Sequence, residues 1–162
     1  METPEPTTEH RWLQRLLGQW RMEGECPAAG PDEQGMKMEA TERVRGLGDL
    51  WVLAEGESAM PDGKPALSQM LLGYDPAQGC FVGTFAASMM THLWVYRGKL
   101  DAAGTTLTLD TEGPDMSTPG RTAPYQDIIT LQADGSRTLT SRMQAADGTW
   151  HQVMSAQYSR TG

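Results

Sequence analysis

Three ionisable side chains of the 162-residue chain sit where a strand would present them to an interior: Glu55, His92 and Arg142. Glu55 alternates with Trp51 and Leu53, so a strand here turns all three to one face and Glu55 is expected to enter the core with its neighbours. A carboxylate taken out of water needs a partner, and Arg142, at an alternating position of a later strand, supplies one. Such a pair would hold the polar head of a ligand; in the plainer alternative both lie on solvated faces. In the run His92–Tyr96, the set His92, Trp94 and Tyr96 is larger than Leu93 and Val95 and is expected to face inward. A neutral imidazole there would serve as a general base, as an axial haem ligand, or simply as a hydrogen-bonded histidine in a wet cavity. Thr84 and Ser88, sharing one strand face, would add hydroxyl donors, and Met70 an adaptable thioether wall.

The local signatures of known chemistries fail. Gly46-Leu47-Gly48-Asp49-Leu50-Trp51 begins like a dinucleotide loop, but Trp51 stands where the third glycine is needed and no helix pattern follows. No P-loop, H-E-x-x-H or G-x-S-x-G stretch occurs. His10, His92 and His151 are far apart in sequence, so no local metal-ligand spacing exists. No catalytic residue, metal or cofactor is assigned.

Composition narrows the classes further. With 38% hydrophobic and 21% charged residues the chain is too apolar for a disordered tail. No apolar run approaches the roughly 18 residues that span a bilayer. The net charge of −8 repels phosphate backbones and anionic lipid, which disfavours nucleic acid and membrane as partners. The opening METPEPTTEH has neither a basic segment nor an apolar core, so a cytoplasmic location is expected. Cys26 and Cys80 form no C-x-x-C pair, and two reduced thiols fit that compartment better than one disulfide. The 11 methionines either replace scarce isoleucine in the core or soften a ligand cavity.

The elements that must carry these side chains follow from periodicity. Residues 1–6, with Pro4 and Pro6, read as a loose arm, and 7–162 as one domain. Thr7 or Thr8 caps a helix of about ten residues, in which Trp12, Leu13, Leu16 and Leu17 form one stripe and Gly18 is the stop. The period then becomes two. Trp20, Met22 and Gly24 share a face, as do Met36, Met38 and Ala40 after the loop over 27–35. Eight further runs are expected over 50–58, 67–74, 80–89, 92–96, 105–111, 126–132, 137–144 and 150–159. Short breaks with Asp-Gly and Asp-Pro chemistry join neighbouring antiparallel strands. The glycine- and proline-rich stretch 113–124 is the one longer interruption. Ten such strands behind one helix predict an all-β, up-and-down antiparallel barrel, with a ten-stranded sandwich as the competitor.

Leu17-Gly18-Gln19-Trp20 is a G-x-W at the junction of a short helix and the first strand, and there the chain resembles the lipocalins and fatty-acid-binding proteins, the calycin group. That resemblance implies a barrel-end plug in which Trp20 is covered by a late basic residue, here Arg160. It orients the last strand: Trp150, Gln152, Met154, Ala156, Tyr158 and Arg160 would face inward and His151 outward. Leu72-Gly73-Tyr74-Asp75-Pro76, Phe81-Val82-Gly83-Thr84-Phe85 with Ser88-Met89, Gly98-Lys99-Leu100-Asp101 and Thr106-Leu107-Thr108-Leu109 are similar, in order and spacing, to the bacterial family known as domain of unknown function 1579. The family implies a lipocalin-like barrel and no particular activity. Its usual aspartate before the serine of the fifth strand is Ala87 here.

The function expected is therefore the binding of a small apolar or amphipathic molecule inside the barrel. The alternatives are an isomerase- or hydrolase-type enzyme using Glu55 with His92 or Tyr96, and a haem-binding barrel using His92 or His151. A homodimer is compatible with every one of these.

Overall fold

The computed structural model describes residues 1–27 and 35–162; most of the loop expected over 27–35 lies outside them. One helix, α1 (Thr8–Gln14), precedes ten strands: β1 (Gly18–Cys26), β2 (Met36–Leu47), β3 (Trp51–Ala59), β4 (Pro65–Asp75), β5 (Cys80–Ala87), β6 (Trp94–Leu100), β7 (Thr106–Pro114), β8 (Thr122–Leu131), β9 (Arg137–Gln144) and β10 (Trp150–Arg160). Each strand pairs antiparallel with its neighbour in sequence, and β1 pairs with β10, from Trp20 opposite Arg160 to Glu25 opposite Ser155. The sheet closes into a barrel without a free edge. The sandwich is thereby excluded.

Three hairpins repeat one turn. In Pro61-Asp62-Gly63, Ala133-Asp134-Gly135 and Ala146-Asp147-Gly148 the aspartate accepts from the amide two residues on, at 2.9–3.0 Å. Gly135 and Gly148 close the turn with φ of 90° and 88°, which a side chain would resist. Strands reach further into the stretch 113–124 than its composition implies. Gly113 and Pro114 end β7, and β8 begins at Thr122 with Pro124 inside it, opposite Glu112.

The helix is shorter than the expected ten residues. Thr7 caps it, and His10 completes a reciprocal cap by accepting the Thr7 amide on Nδ1 at 2.9 Å. After Gln14 the chain tightens into three-residue turns (Leu16 amide to Leu13 carbonyl, 3.0 Å) because it must swing into β1 at Gly18, whose φ is +133°. Leu13, Leu16 and Trp12 are buried and seal one end of the barrel. His10 Nε2 donates to the Tyr74 carbonyl at 2.9 Å, and Trp12 Nε1 donates to the Gly104 carbonyl at 2.8 Å. These bonds tie the helix to the turns at that closed end. Cys80 starts a strand there, whereas Cys26 ends one at the opposite, open end. Both thiols are free.

Candidate functional site

Period-two alternation decides what faces inward. Trp20 and Met22 of β1, Val52 and Ala54 of β3, Met70 and Leu72 of β4, and Phe81 and Phe85 of β5 point into the barrel, where they belong to one hydrophobic cluster. Toward the open end the interior is not filled. An inner chamber of about 330 Å³ lies among Met22, Ala54, Met70, Ile129 and Met154. An outer chamber of about 560 Å³ lies at the mouth among Met90, His92, Trp94, Met116 and Tyr125. Phe85, Met154, Asp127 and Ser141 border both chambers. A larger hollow of about 810 Å³ crosses the outer face of β2–β5 past Arg43, Glu55 and Glu57, but it is open to solvent and desolvates little.

Two polar clusters interrupt the apolar interior. Arg137 of β9, 5% exposed, is salt-bridged to Glu42 of β2. Its guanidinium lies 3.9 Å from the Tyr158 ring centroid and 4.6 Å from that of Trp20. Burial, and after it the Glu42 carboxylate, pushes the Tyr158 phenol above its ordinary range. The second cluster centres on Asp127 of β8. Tyr96 donates its hydroxyl to Oδ2 at 2.5 Å, and Ser141 donates to Oδ1. Burial drives the Asp127 carboxyl upward, and the bonds from Ser141 and Tyr96 only oppose it. The Tyr96 phenol is held protonated, first by burial and then by the Asp127 charge. Tyr96 therefore acts as a donor. Among the described residues, no guanidinium or ammonium forms a salt bridge with Asp127.

That imbalance sets a pH dependence. A carboxyl whose folded value is raised binds a proton that the unfolded chain has already released. Its presence therefore lowers stability progressively as pH rises from the ordinary carboxylate range through the folded value. Asp127→Asn removes the ionisation and keeps the shape. The variant is expected to match the parent's melting temperature in acid and to exceed it increasingly toward neutrality. Melting curves across that pH range check this; a gap that stays constant with pH would mean that the charge is not the cause.

Of the residues singled out in the sequence, Met70, His92, Trp94, Tyr96 and Met154 line the chambers. Arg160 stands 4.2 Å over the Trp20 ring and donates to the carbonyls of Leu17 (2.7 Å) and Arg15 (2.6 Å) at the closed end. His92 Nε2 faces the Glu112 carbonyl at 2.8 Å; since a carbonyl only accepts, that nitrogen carries the proton.

Six others lie elsewhere. Glu55 is on the outer face, 2.8 Å from Arg45 and half-exposed, because Val52 and Ala54 take the inward register of β3. Trp51 is outside for the same reason. Its ring covers Gly73, where a Cβ would come within 2.5 Å of it. Arg142 also points outward, bonded to Gln126 at 2.8 Å with its guanidinium over Trp150, so the expected Glu55–Arg142 pair does not form. Thr84 faces out opposite Leu71 and Val95, because Phe81, Gly83 and Phe85 hold the inward face. Gln152 is turned out by a bulge at Val153: it pairs with Arg142, and the next partner of Ser141 is Met154. Ser88 stays at the exposed rim, its Oγ accepting the Leu67 amide at 2.9 Å. The acid–base set of Glu55 with His92 or Tyr96 is accordingly not assembled. His151 is exposed, with Nε2 2.9 Å from Thr149 Oγ1. Among the described residues, no three His, Cys, Asp or Glu side chains converge as metal ligands.

Comparison with known proteins agrees with this architecture. The family described as a protein of unknown function, DUF1579, matches over residues 5–160. The chain belongs to that family. No curated protein matches this DUF1579 member in sequence. In structure it is similar to Rv2717c from M. tuberculosis (TM-score 0.62, 16% identity), with 98% of this chain and 100% of that one covered. A redesigned β-barrel is also similar (TM-score 0.50, 12% identity), with 94% of this chain and 96% of that one covered. At such identities the likeness concerns the fold alone.

Glu42, Asp127 and Arg137 escaped the sequence reading, and in two of them a signal was present. Glu42 continues the period of Met38 and Ala40, and Asp127 lies between Tyr125 and Ile129 on one strand face. An acid in phase with an apolar stripe marks an interior charge. Arg137 opens its strand beside a turn, where phase carries no information. Among the described residues of this DUF1579 barrel, no helix is long and apolar enough to cross a membrane.

Proposed function

We propose that this protein binds a small, largely apolar molecule bearing one polar group, enclosed within the barrel and admitted through the open end. The observation that carries the reading is the pair of adjoining chambers. A barrel whose role was only to be stable would fill such space, since voids forfeit dispersion contacts. Here methionine and aromatic walls surround it, and Asp127, Ser141 and Tyr96 present the few polar atoms that would orient a guest. The two free cysteines suit a reducing, cytoplasmic setting.

The test uses N-phenyl-1-naphthylamine, an uncharged probe that brightens in apolar surroundings. The parent protein is expected to enhance its emission saturably. Ala54→Phe, which fills the inner chamber, is expected to weaken binding about tenfold while the circular dichroism spectrum is kept. Overpacking there costs about 1–3 kcal/mol of stability, so titrations belong well below the melting point. No saturable signal from the folded parent would overturn the reading.

A further inference from the structure

The outer chamber has a chemical bias of its own. Its walls are aromatic on three sides. The rings of Trp94 and Tyr125 meet edge to face at 4.9 Å, His92 abuts Trp94 at 4.8 Å, and Tyr96 and Phe85 form the floor. Trp94 is braced by its Nε1 contact to Met90 Sδ at 3.2 Å, and the Tyr125 hydroxyl is spent on the Pro114 carbonyl, so the polar ends of both rings are already engaged within the protein. Asp127 sits where this chamber meets the inner one. Each of its oxygens takes one hydrogen bond, from Tyr96 or Ser141, which leaves acceptor capacity on both.

What is missing is a positive charge. Among the described residues, no lysine or arginine lines the outer chamber, and the one guanidinium lining the inner chamber, that of Arg137, is neutralised by Glu42. His92 uses its Nε2–H on the Glu112 carbonyl. A carboxylate removed from water without a counter-charge is unfavourable, and aromatic faces attract cations, most strongly where water is excluded. A net charge of −8 favours the approach of cations over anions to the protein as a whole.

Resting on the reading that the barrel encloses a ligand, we infer that the outer chamber selects an organic cation: an amine or ammonium on an apolar body, its charge seated at Asp127 among Trp94, Tyr96 and Tyr125. A fatty-acid-like anion is the opposite choice, and the unpaired Asp127 carboxylate opposes it.

Three probes of one shape decide: 4-phenylbutylamine, 4-phenylbutan-1-ol and 4-phenylbutyrate, each used to displace N-phenyl-1-naphthylamine from the folded protein at neutral pH. The amine is expected to act at concentrations at least tenfold below the alcohol, with the acid weakest. Asp127→Asn is expected to bring amine and alcohol within about twofold of each other, because the amine loses its counter-charge and the alcohol does not depend on one. If the amine displaces no better than the alcohol, or not at all while the reporter binds, cation selection is overturned and enclosure of an apolar guest stands. If the reporter itself does not bind, both fall. Because the comparison among probes is made on the parent protein, it does not depend on the variant folding.

Discussion

Arg137→Met is expected to lower the stability of the barrel by about 3–5 kcal/mol, the range for breaking a buried ion pair by removing one partner. The substitution leaves Glu42 turned inward, its side chain 16% exposed, facing an apolar chamber without a counter-charge. It also strips a cation from the faces of Tyr158 and Trp20, each contact contributing on the order of 1 kcal/mol. The cause can be separated by a second change. Replacing both members, Arg137→Met with Glu42→Leu, removes the orphan charge, and buried pairs exchanged for apolar groups are often neutral or stabilising. The double variant should therefore regain most of what the single one loses. Urea unfolding of the parent, both single variants and the double variant completes the cycle. If the double variant is as unstable as Arg137→Met alone, the loss comes from packing on Trp20 and Tyr158, and the ion pair is incidental.

The same pair shows what the sequence could and could not disclose. Strands and breaks were legible because period two, Asp-Gly turns and the absence of long apolar runs all pointed one way. Closure was legible through Gly18-Gln19-Trp20 and Arg160, two ends of the chain that meet in one contact. Facing was harder. Alternation put Trp51, Leu53 and Glu55 on one face expected to turn inward, yet Gly73 on the neighbouring strand leaves room on the outer face that the Trp51 ring covers. Once Trp51 goes out, Glu55 must follow it, and the Arg142 partnership goes with it. On β10 the alternation was sound from Met154 to Arg160. It failed at Gln152 because a one-residue bulge inverts the phase and leaves no mark in the residue types. The outer chamber was half visible: Trp94, Tyr96 and His92 were in phase, but Tyr125 and Asp127 come from β8, and only the register of the closed sheet brings them across.

At the closed end, Trp20→Ala is expected to cost about 3–5 kcal/mol, the range for deleting a buried large aromatic side chain. Trp20 is 1% exposed, lies between the guanidiniums of Arg160 (4.2 Å) and Arg137 (4.6 Å), and donates its indole N–H to the Leu16 carbonyl at 2.9 Å. Its loss opens a void beneath Leu13 and Leu16 and frees the helix that seals the barrel. Arg160→Met loses the hydrogen bonds to the Leu17 and Arg15 carbonyls but at an exposed position where no buried void opens, so it should cost less than Trp20→Ala. The order separates a plug that works by packing from one that works by charge. A ligand chamber at the other end adds a further expectation. Well below its lowered melting point, the Trp20→Ala protein should still bind N-phenyl-1-naphthylamine with nearly the parent's affinity, whereas Ala54→Phe should not. Chemical unfolding and probe titration on the same preparations check both. Equal losses for Trp20→Ala and Arg160→Met would show that the cation over the indole, and not the buried ring, holds the end closed.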